Sequence, residues 1–222
     1  MLTPLQERIA EIVNGLPEAR GFALAGAGGL LARGLIERST RDLDYFTVPG
    51  EEEALSALRD ALEEAFDRAE LDHSRQRDLS TFARIEVSDG DDRCEIDLAI
   101  DYRALPVEPS SYGPTLALEE LAANKVLALF DRAEARDFLD LVALTRHFEM
   151  ESLLVLAAEK DTGFDVAGFV DALSTLGRFT ATDFGITEAE YERLHATVAN
   201  WRKDLGRNQR REPPDRGLEL GR

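Results

Sequence analysis

Two carboxylates, Asp42 and Asp44, alternate in the run Arg38-Ser39-Thr40-Arg41-Asp42-Leu43-Asp44-Tyr45. On a strand, alternate side chains share a face, so both acids point one way while Leu43 and Tyr45 point the other. Acids held side by side repel unless a cation lies between them. Upstream stands Ala25-Gly26-Ala27-Gly28-Gly29. A glycine pair, Gly28-Gly29, at an expected helix start lets the backbone approach phosphate oxygens and turns N–H groups and the positive helix end toward them. Glycines and paired acids a dozen residues apart are what a site needs to hold a nucleoside triphosphate and its Mg²⁺, or Mn²⁺ in its place. The chemistry these residues predict is nucleotidyl transfer.

A third acid is expected from the segment Arg93 to Ile100. Cys94, Ile96, Leu98 and Ile100 make its apolar face and leave Glu95, Asp97 and Asp101 on the other. If this strand neighbours that of Asp42, Asp97 completes a cup of three metal-binding carboxylates, Asp42, Asp44 and Asp97, suited to two-ion phosphoryl chemistry. Glu95 is the alternative to Asp97. Arg38 and Thr40 could supply a phosphate contact and a hydroxyl ligand. Of 26 basic residues only Lys125, Lys160 and Lys203 are lysines. Within the apolar Leu121-Ala122-Ala123-Asn124-Lys125-Val126-Leu127, Lys125 suits a need for a compact ammonium against a triphosphate. Arg136 and Asp140 lie four apart, at the spacing of a surface ion pair on one helix face.

The elements that must position these residues follow from periodicity and punctuation. Helices are expected over about 4 to 15, from Gly28 to about Gly34, and from Glu51 through Phe66; strands over 22 to 25, 42 to 48, 81 to 88 and 93 to 100. Asp89-Gly90 marks a hairpin between the last two. Tyr102 to Pro114, with Pro106, Pro109, Gly113 and Pro114, reads as a linker. Beyond it the pattern is helical over about 117 to 130, 134 to 148, 151 to 160, 165 to 177 and 187 to 203. The expected architecture is α+β: a small mixed sheet in a nucleotidyltransferase core, 1–105, a helical C-terminal domain, 115–205, and a flexible basic tail, 206–222.

Composition narrows the remaining choices. The chain has 222 residues, 44% of them hydrophobic, enough for one sizeable core or two small ones. It shows neither a run long enough to span a membrane nor a signal-peptide layout, so a cytoplasmic location is expected. Cys94 is the one cysteine, which rules out a disulfide within the chain and a thiolate metal cluster. His73, His147 and His195 have no metal-ligand spacing. A net charge of −18 disfavours loose contact with a polyanion. From Arg202 to Arg222, however, seven basic residues stand against four acidic ones, leaving −21 on the rest. That basic end could guide RNA. Trp201 beside it reads as an anchor for the last helix. A monomer is the expected state.

The run Gly28-Gly29, Arg38-x-Thr40-x-Asp42-Leu43-Asp44, then Lys125 with Arg132-x3-Arg136-Asp137-x2-Asp140-Leu141, resembles the AbiEii/AbiGii-type nucleotidyltransferase toxins, which include the mycobacterial MenT toxins. The similarity spans about residues 21 to 145, and its Arg-Asp-x-x-Asp-Leu block is the most specific part. The glycines and Asp-x-Asp are shared with the polymerase-beta-like superfamily. The resemblance implies a bacterial toxin, paired with a cognate antitoxin, that transfers a nucleotide from an NTP, in some members to the 3′ end of tRNA. It implies Asp42 and Asp44 as metal ligands, Lys125 on the triphosphate, Arg136 among the nucleotide-binding residues and Asp140 as a further essential acid. Thr40 matches a hydroxyl that some relatives phosphorylate. Leu30 departs from the small hydroxyl residue many members carry after the glycines. Competing readings are nucleotidyl transfer to a protein or small-molecule hydroxyl, a glycosyltransferase using Asp42-Leu43-Asp44, and a catalytically weak partner-binding module.

Overall fold

The computed structural model describes residues 1–209, so most of the expected basic tail lies outside the described residues. The chain forms two compact units, the first Met1–Lys125 and the second starting at Val126. In chain order the first holds α1 (Pro4–Gly15), β1 (Ala23–Leu24), α2 (Gly26–Ala32), β2 (Asp42–Thr47), α3 (Glu52–Arg68), β3 (Asp72–Asp78), β4 (Phe82–Asp89), β5 (Asp92–Ile100), β6 (Glu108–Ser110), β7 (Gly113–Thr115) and the greater part of α4 (Leu118–Asp131). The α+β class expected from the sequence is the one observed.

One seven-stranded mixed sheet organises this unit, in the order β3-β4-β5-β2-β1-β7-β6. β2 runs parallel to β5 and antiparallel to β1, and β4 and β5 form the antiparallel hairpin that Asp89-Gly90 predicts, with Gly90 at φ +62°. Alternation works as the pattern requires: Ala83, Ile85 and Val87 of β4, Cys94, Ile96 and Leu98 of β5, and Leu43 and Tyr45 of β2 are buried. α3 adds Leu55, Leu58, Leu62 and Phe66 to the core. A cavity of about 370 Å³ lined by Val13, Leu16, Phe22, Tyr45 and Pro114, among others, belongs to the Tyr45 side of the sheet, away from the acids.

Tyr102 to Pro114 is not a linker. It contains β6 and β7, a small antiparallel hairpin that extends the sheet through a parallel pairing of β7 with β1. Its prolines lie where prolines are tolerated, on β6 at the sheet edge and on β7 beside it. β3, absent from the sequence reading, is an edge strand of the sequence Asp-His-Ser-Arg-Gln-Arg-Asp and is mostly exposed, so no apolar alternation marks it.

α1 shows how local chemistry reaches the site. Thr3 and Gln6 form a reciprocal capping box, with Gln6 N donating to Thr3 Oγ1 (3.2 Å) and Thr3 N to Gln6 Oε1 (3.0 Å), and Pro4 starts the helix. The amide of the same Gln6 donates to Thr40 O at 2.9 Å, so the cap of the first helix fixes the backbone just before β2.

The second unit is helical among its described residues: the end of α4, then α5 (Ala135–Leu144), α6 (Met150–Lys160), α7 (Val166–Ser174), α8 (Ala181–Phe184) and α9 (Glu188–Gln209), with a 3₁₀ turn at Thr175–Arg178. Phe138, fully buried on α5, meets Phe179 and Phe184 edge-on at 6.2 and 6.4 Å between ring centroids. Asp137 fixes the start of α5: it accepts Glu134 N (3.1 Å) and a two-pronged bond from Arg132, Nε and Nη2 each at 3.1 Å. Asp140 is fully buried on α5, and Arg136 stands 2.9 Å from Glu134.

Candidate active site

The acids come together because β2 and β5 are neighbours in parallel register, with Asp42 opposite Glu95 and Asp44 opposite Asp97. All four occupy the face turned away from Leu43, Tyr45, Cys94 and Ile96. Antiparallel pairing with β4 extends the rows, placing Glu86 opposite Glu95 and Arg84 opposite Asp97. Arg84, Asp97 and Asp44 therefore stand in one row across three strands.

Each acid is held differently. Thr40, a buried residue, donates its hydroxyl to Asp42 Oδ1. Arg84 grips Asp97 with two parallel bonds, Nε to Oδ1 and Nη2 to Oδ2, both 2.6 Å, and its Nη1 lies 3.1 Å from Glu95 Oε2. That hydrogen bonding to Asp97, aided by the charges of Asp97, Glu95 and Asp42, drives the guanidinium pKa further above its ordinary value against the opposing effect of partial burial. On the other face, burial first and the charge of Asp42 second push the Cys94 thiol up to about 12. Burial likewise raises the Tyr45 phenol, whose hydroxyl has no hydrogen-bond partner among the described residues.

The glycines also shape how α2 packs. α2 begins at Gly26, two residues before the pair. Gly29 spends its N–H on Ala25 O (2.7 Å), and a Cβ there would lie 2.7 Å from Leu121 Cδ2. At Gly28 a Cβ would press on Leu24 and Leu43. The pair lets α2 settle on the strands beneath it. Gly26 is the glycine that touches the site: its φ is +55°, and a Cβ would overlap the Asp44 carboxylate. Ala25 N, just before it, donates to Asp44 O at 2.8 Å.

Of the other candidates, Arg38 donates to Ser39 O (3.1 Å) in the approach to β2. Lys125, on α4, is buried at the end of the first unit, beside Asn124, whose amide donates to Asp101 Oδ2 (3.2 Å) just past β5. Arg136 and Asp140 belong to the second unit.

The donor set suits a hard divalent ion: carboxylate oxygens of Asp42 and Asp44, the latter packed so close to Gly26 that a Cβ there would displace it. Mg²⁺ is commonly held by one or two carboxylates plus substrate phosphates rather than by an all-protein cage. Among the described residues no group of three or more His, Cys, Asp or Glu is arranged to hold a metal. Asp97, the third acid of the expected cup, is held by Arg84 through both of its oxygens.

Residues 15–217 match the AbiEii nucleotidyltransferase toxin family of type IV toxin–antitoxin systems. The chain belongs to that family. AbiEii membership makes it an NTP-dependent nucleotidyltransferase, with an antitoxin partner implied by the toxin–antitoxin context. Its fold is similar to that of JHP933 from Helicobacter pylori, at 20% identity, a TM-score of 0.55 and coverage of 95% of this chain and 97% of that one. It is also similar to that of MenT4, a nucleotidyltransferase toxin of Mycobacterium tuberculosis H37Rv, at 16% identity, a TM-score of 0.54 and 93% coverage of each. No curated protein matches. No helix among the described residues of this AbiEii chain is long and apolar enough to cross a membrane.

The sequence reading overlooked Arg84 and Gly26. Arg84 was findable by counting along the hairpin: Asp89 pairs with Asp92, and each step back on β4 meets one step forward on β5 until Arg84 meets Asp97.

Proposed function

We propose that this protein transfers a nucleoside monophosphate from an NTP to the 3′ end of tRNA in a Mg²⁺-dependent reaction, with Asp42 and Asp44 as metal ligands. The observation that carries the reading is the row of Asp44 and Asp97 across β2 and β5, with Gly26 lacking the Cβ that would displace the Asp44 carboxylate. Bound there, Mg²⁺ would neutralise the triphosphate and lower the pKa of the attacking hydroxyl. The chain's own residues do the rest. Thr40 holds Asp42 in place through its hydroxyl. Lys125, Arg38 and Arg136 bind the triphosphate, Gly28 and Gly29 bring α2 against the strands that carry the site, and Asp140 is a further essential acid. The acceptor oxygen bonds to the α-phosphorus as the α–β bridging bond breaks, pyrophosphate leaves, and the hydroxyl proton passes to a carboxylate of this face.

A second reading keeps the site and changes the acceptor to a protein or small-molecule hydroxyl; the net charge of −18 favours it, since a polyanion is repelled. One experiment separates the two. The purified protein is incubated with Mg²⁺, each radiolabelled NTP and total bacterial RNA, beside the Asp42→Ala and Lys125→Ala variants. Label on a tRNA-sized band, lost in both variants, is the expected result. Label on protein alone moves the acceptor to a side chain, and the absence of any label overturns the assignment.

A further inference from the structure

Sheet register places six charged side chains in two rows on the site face: Glu86, Glu95 and Asp42 in one, and Arg84, Asp97 and Asp44 in the other. Neighbouring strands lie about 4.8 Å apart, so Asp97 sits one strand from a cation on one side and one strand from a carboxylate on the other. Arg84 answers two acids of β5, Asp97 through two 2.6 Å bonds and Glu95 at 3.1 Å. The Asp97 side chain is 9% exposed and that of Arg84 30%, so the pair is shielded on the acid's side and reachable from the cation's. A planar fork saturates one lone pair on each Asp97 oxygen and fixes the direction of the carboxylate.

We propose that Arg84 is an internal counter-cation that holds Asp97 back from the site, so that binding of a divalent ion and opening of the Arg84–Asp97 pair are linked events. The inference rests on the reading of Asp42 and Asp44 as metal ligands. Its logic is competition: an incoming divalent ion needs the negative field that Arg84 already neutralises, and it repels a guanidinium two strands from Asp44. The ion's apparent affinity is lowered by whatever free energy the closed pair contributes. Arg84 is thus a positioning residue: it acts on the site through Asp97.

The test is direct titration of the purified full-length protein with Mn²⁺, followed by electron paramagnetic resonance of the free ion. Arg84→Gln is expected to bind Mn²⁺ about tenfold more tightly, a difference of about 1.4 kcal/mol. Arg84→Lys, which keeps the charge, stays near the wild type. Arg93→Gln, which removes a cation paired with Glu86 on the same hairpin, leaves the affinity unchanged. In an Asp97→Asn background the Arg84→Gln effect falls below about twofold, because the two residues act as one unit. Without metal, Arg84→Gln melts below the wild type, and saturating Mn²⁺ narrows the gap; a merely structural ion pair would show the first change and not the second. Mn²⁺ binding that Asp42→Asn abolishes but Arg84→Gln leaves equal or weaker overturns this inference alone. Absent Mn²⁺ binding, or binding indifferent to Asp42→Asn, overturns the metal-ligand reading and the inference with it.

Discussion

Among the described residues stand two bidentate arginine–aspartate pairs, Arg84–Asp97 on the sheet and Arg132–Asp137 at the start of α5. Their geometry is similar and their settings are opposite. Arg132 and Asp137 are five residues apart, and Asp137, fully buried, also accepts Glu134 N, so its carboxylate is consumed in ending one helix and starting the next. Arg84 and Asp97 are thirteen residues apart and meet only because β4 and β5 pair, and Asp97 faces Asp44 across the neighbouring strand. The same motif closes a turn in one place and fixes a carboxylate of the candidate site in the other. What separates them is whether the acid caps the backbone of its own helix or faces a carboxylate on a neighbouring strand.

The comparison predicts that damage near the sheet pair appears in activity and damage at the helix pair in stability. The largest effect is expected of Gly26→Ala, whose Cβ would displace the Asp44 carboxylate. Nucleotide transfer should drop at least ~100-fold, as small misplacements of a reacting group do, with about 1–2 kcal/mol of stability lost to the positive φ; an active Gly26→Ala would show that the Asp44 position is not critical. Next, Asp137→Ala should cost about 3 kcal/mol of stability, by loss of the helix cap and stranding of Arg132, read from urea unfolding. Asp97→Asn, by contrast, should lower activity far more than stability. Equal stability losses at Asp97 and Asp137 would erase the distinction.

The apolar face behind the sheet pair supplies a control in which only stability should change. Cys94 is held as a thiol up to about 12 by burial and then by Asp42, above its value in the unfolded chain. Stability should therefore be full below about pH 8.5, where the unfolded thiol begins to ionise, and fall as pH rises toward 12. Cys94→Ala should flatten that slope in pH-dependent melting. The smallest effect is expected of Tyr45→Phe, which removes a buried hydroxyl without a hydrogen-bond partner among the described residues and should stabilise the protein by about 1 kcal/mol.

Sequence periodicity was enough to find α1, which runs over the expected residues, the alternation of β2, β4 and β5, and the Asp89-Gly90 hairpin. These signals are local: capping at Thr3, a side-chain period of two, a turn that needs positive φ. β3 was invisible because an exposed edge strand has no buried face to write into its pattern. β6 and β7 were hidden behind prolines that local rules read as a break, and the end of the first unit falls inside α4, where no break in composition marks it.

The same division runs through the site. The sequence by itself determined that Asp42 and Asp44 share a face, because a strand's geometry leaves no other choice. Only the tertiary structure decided that β5 lies beside β2, that Gly26 rather than the glycine pair touches Asp44, and that Asp97 is held by Arg84. Side-chain alternation is a property of one strand, whereas register and contact between strands distant in sequence arise when the whole sheet buries its apolar face at once.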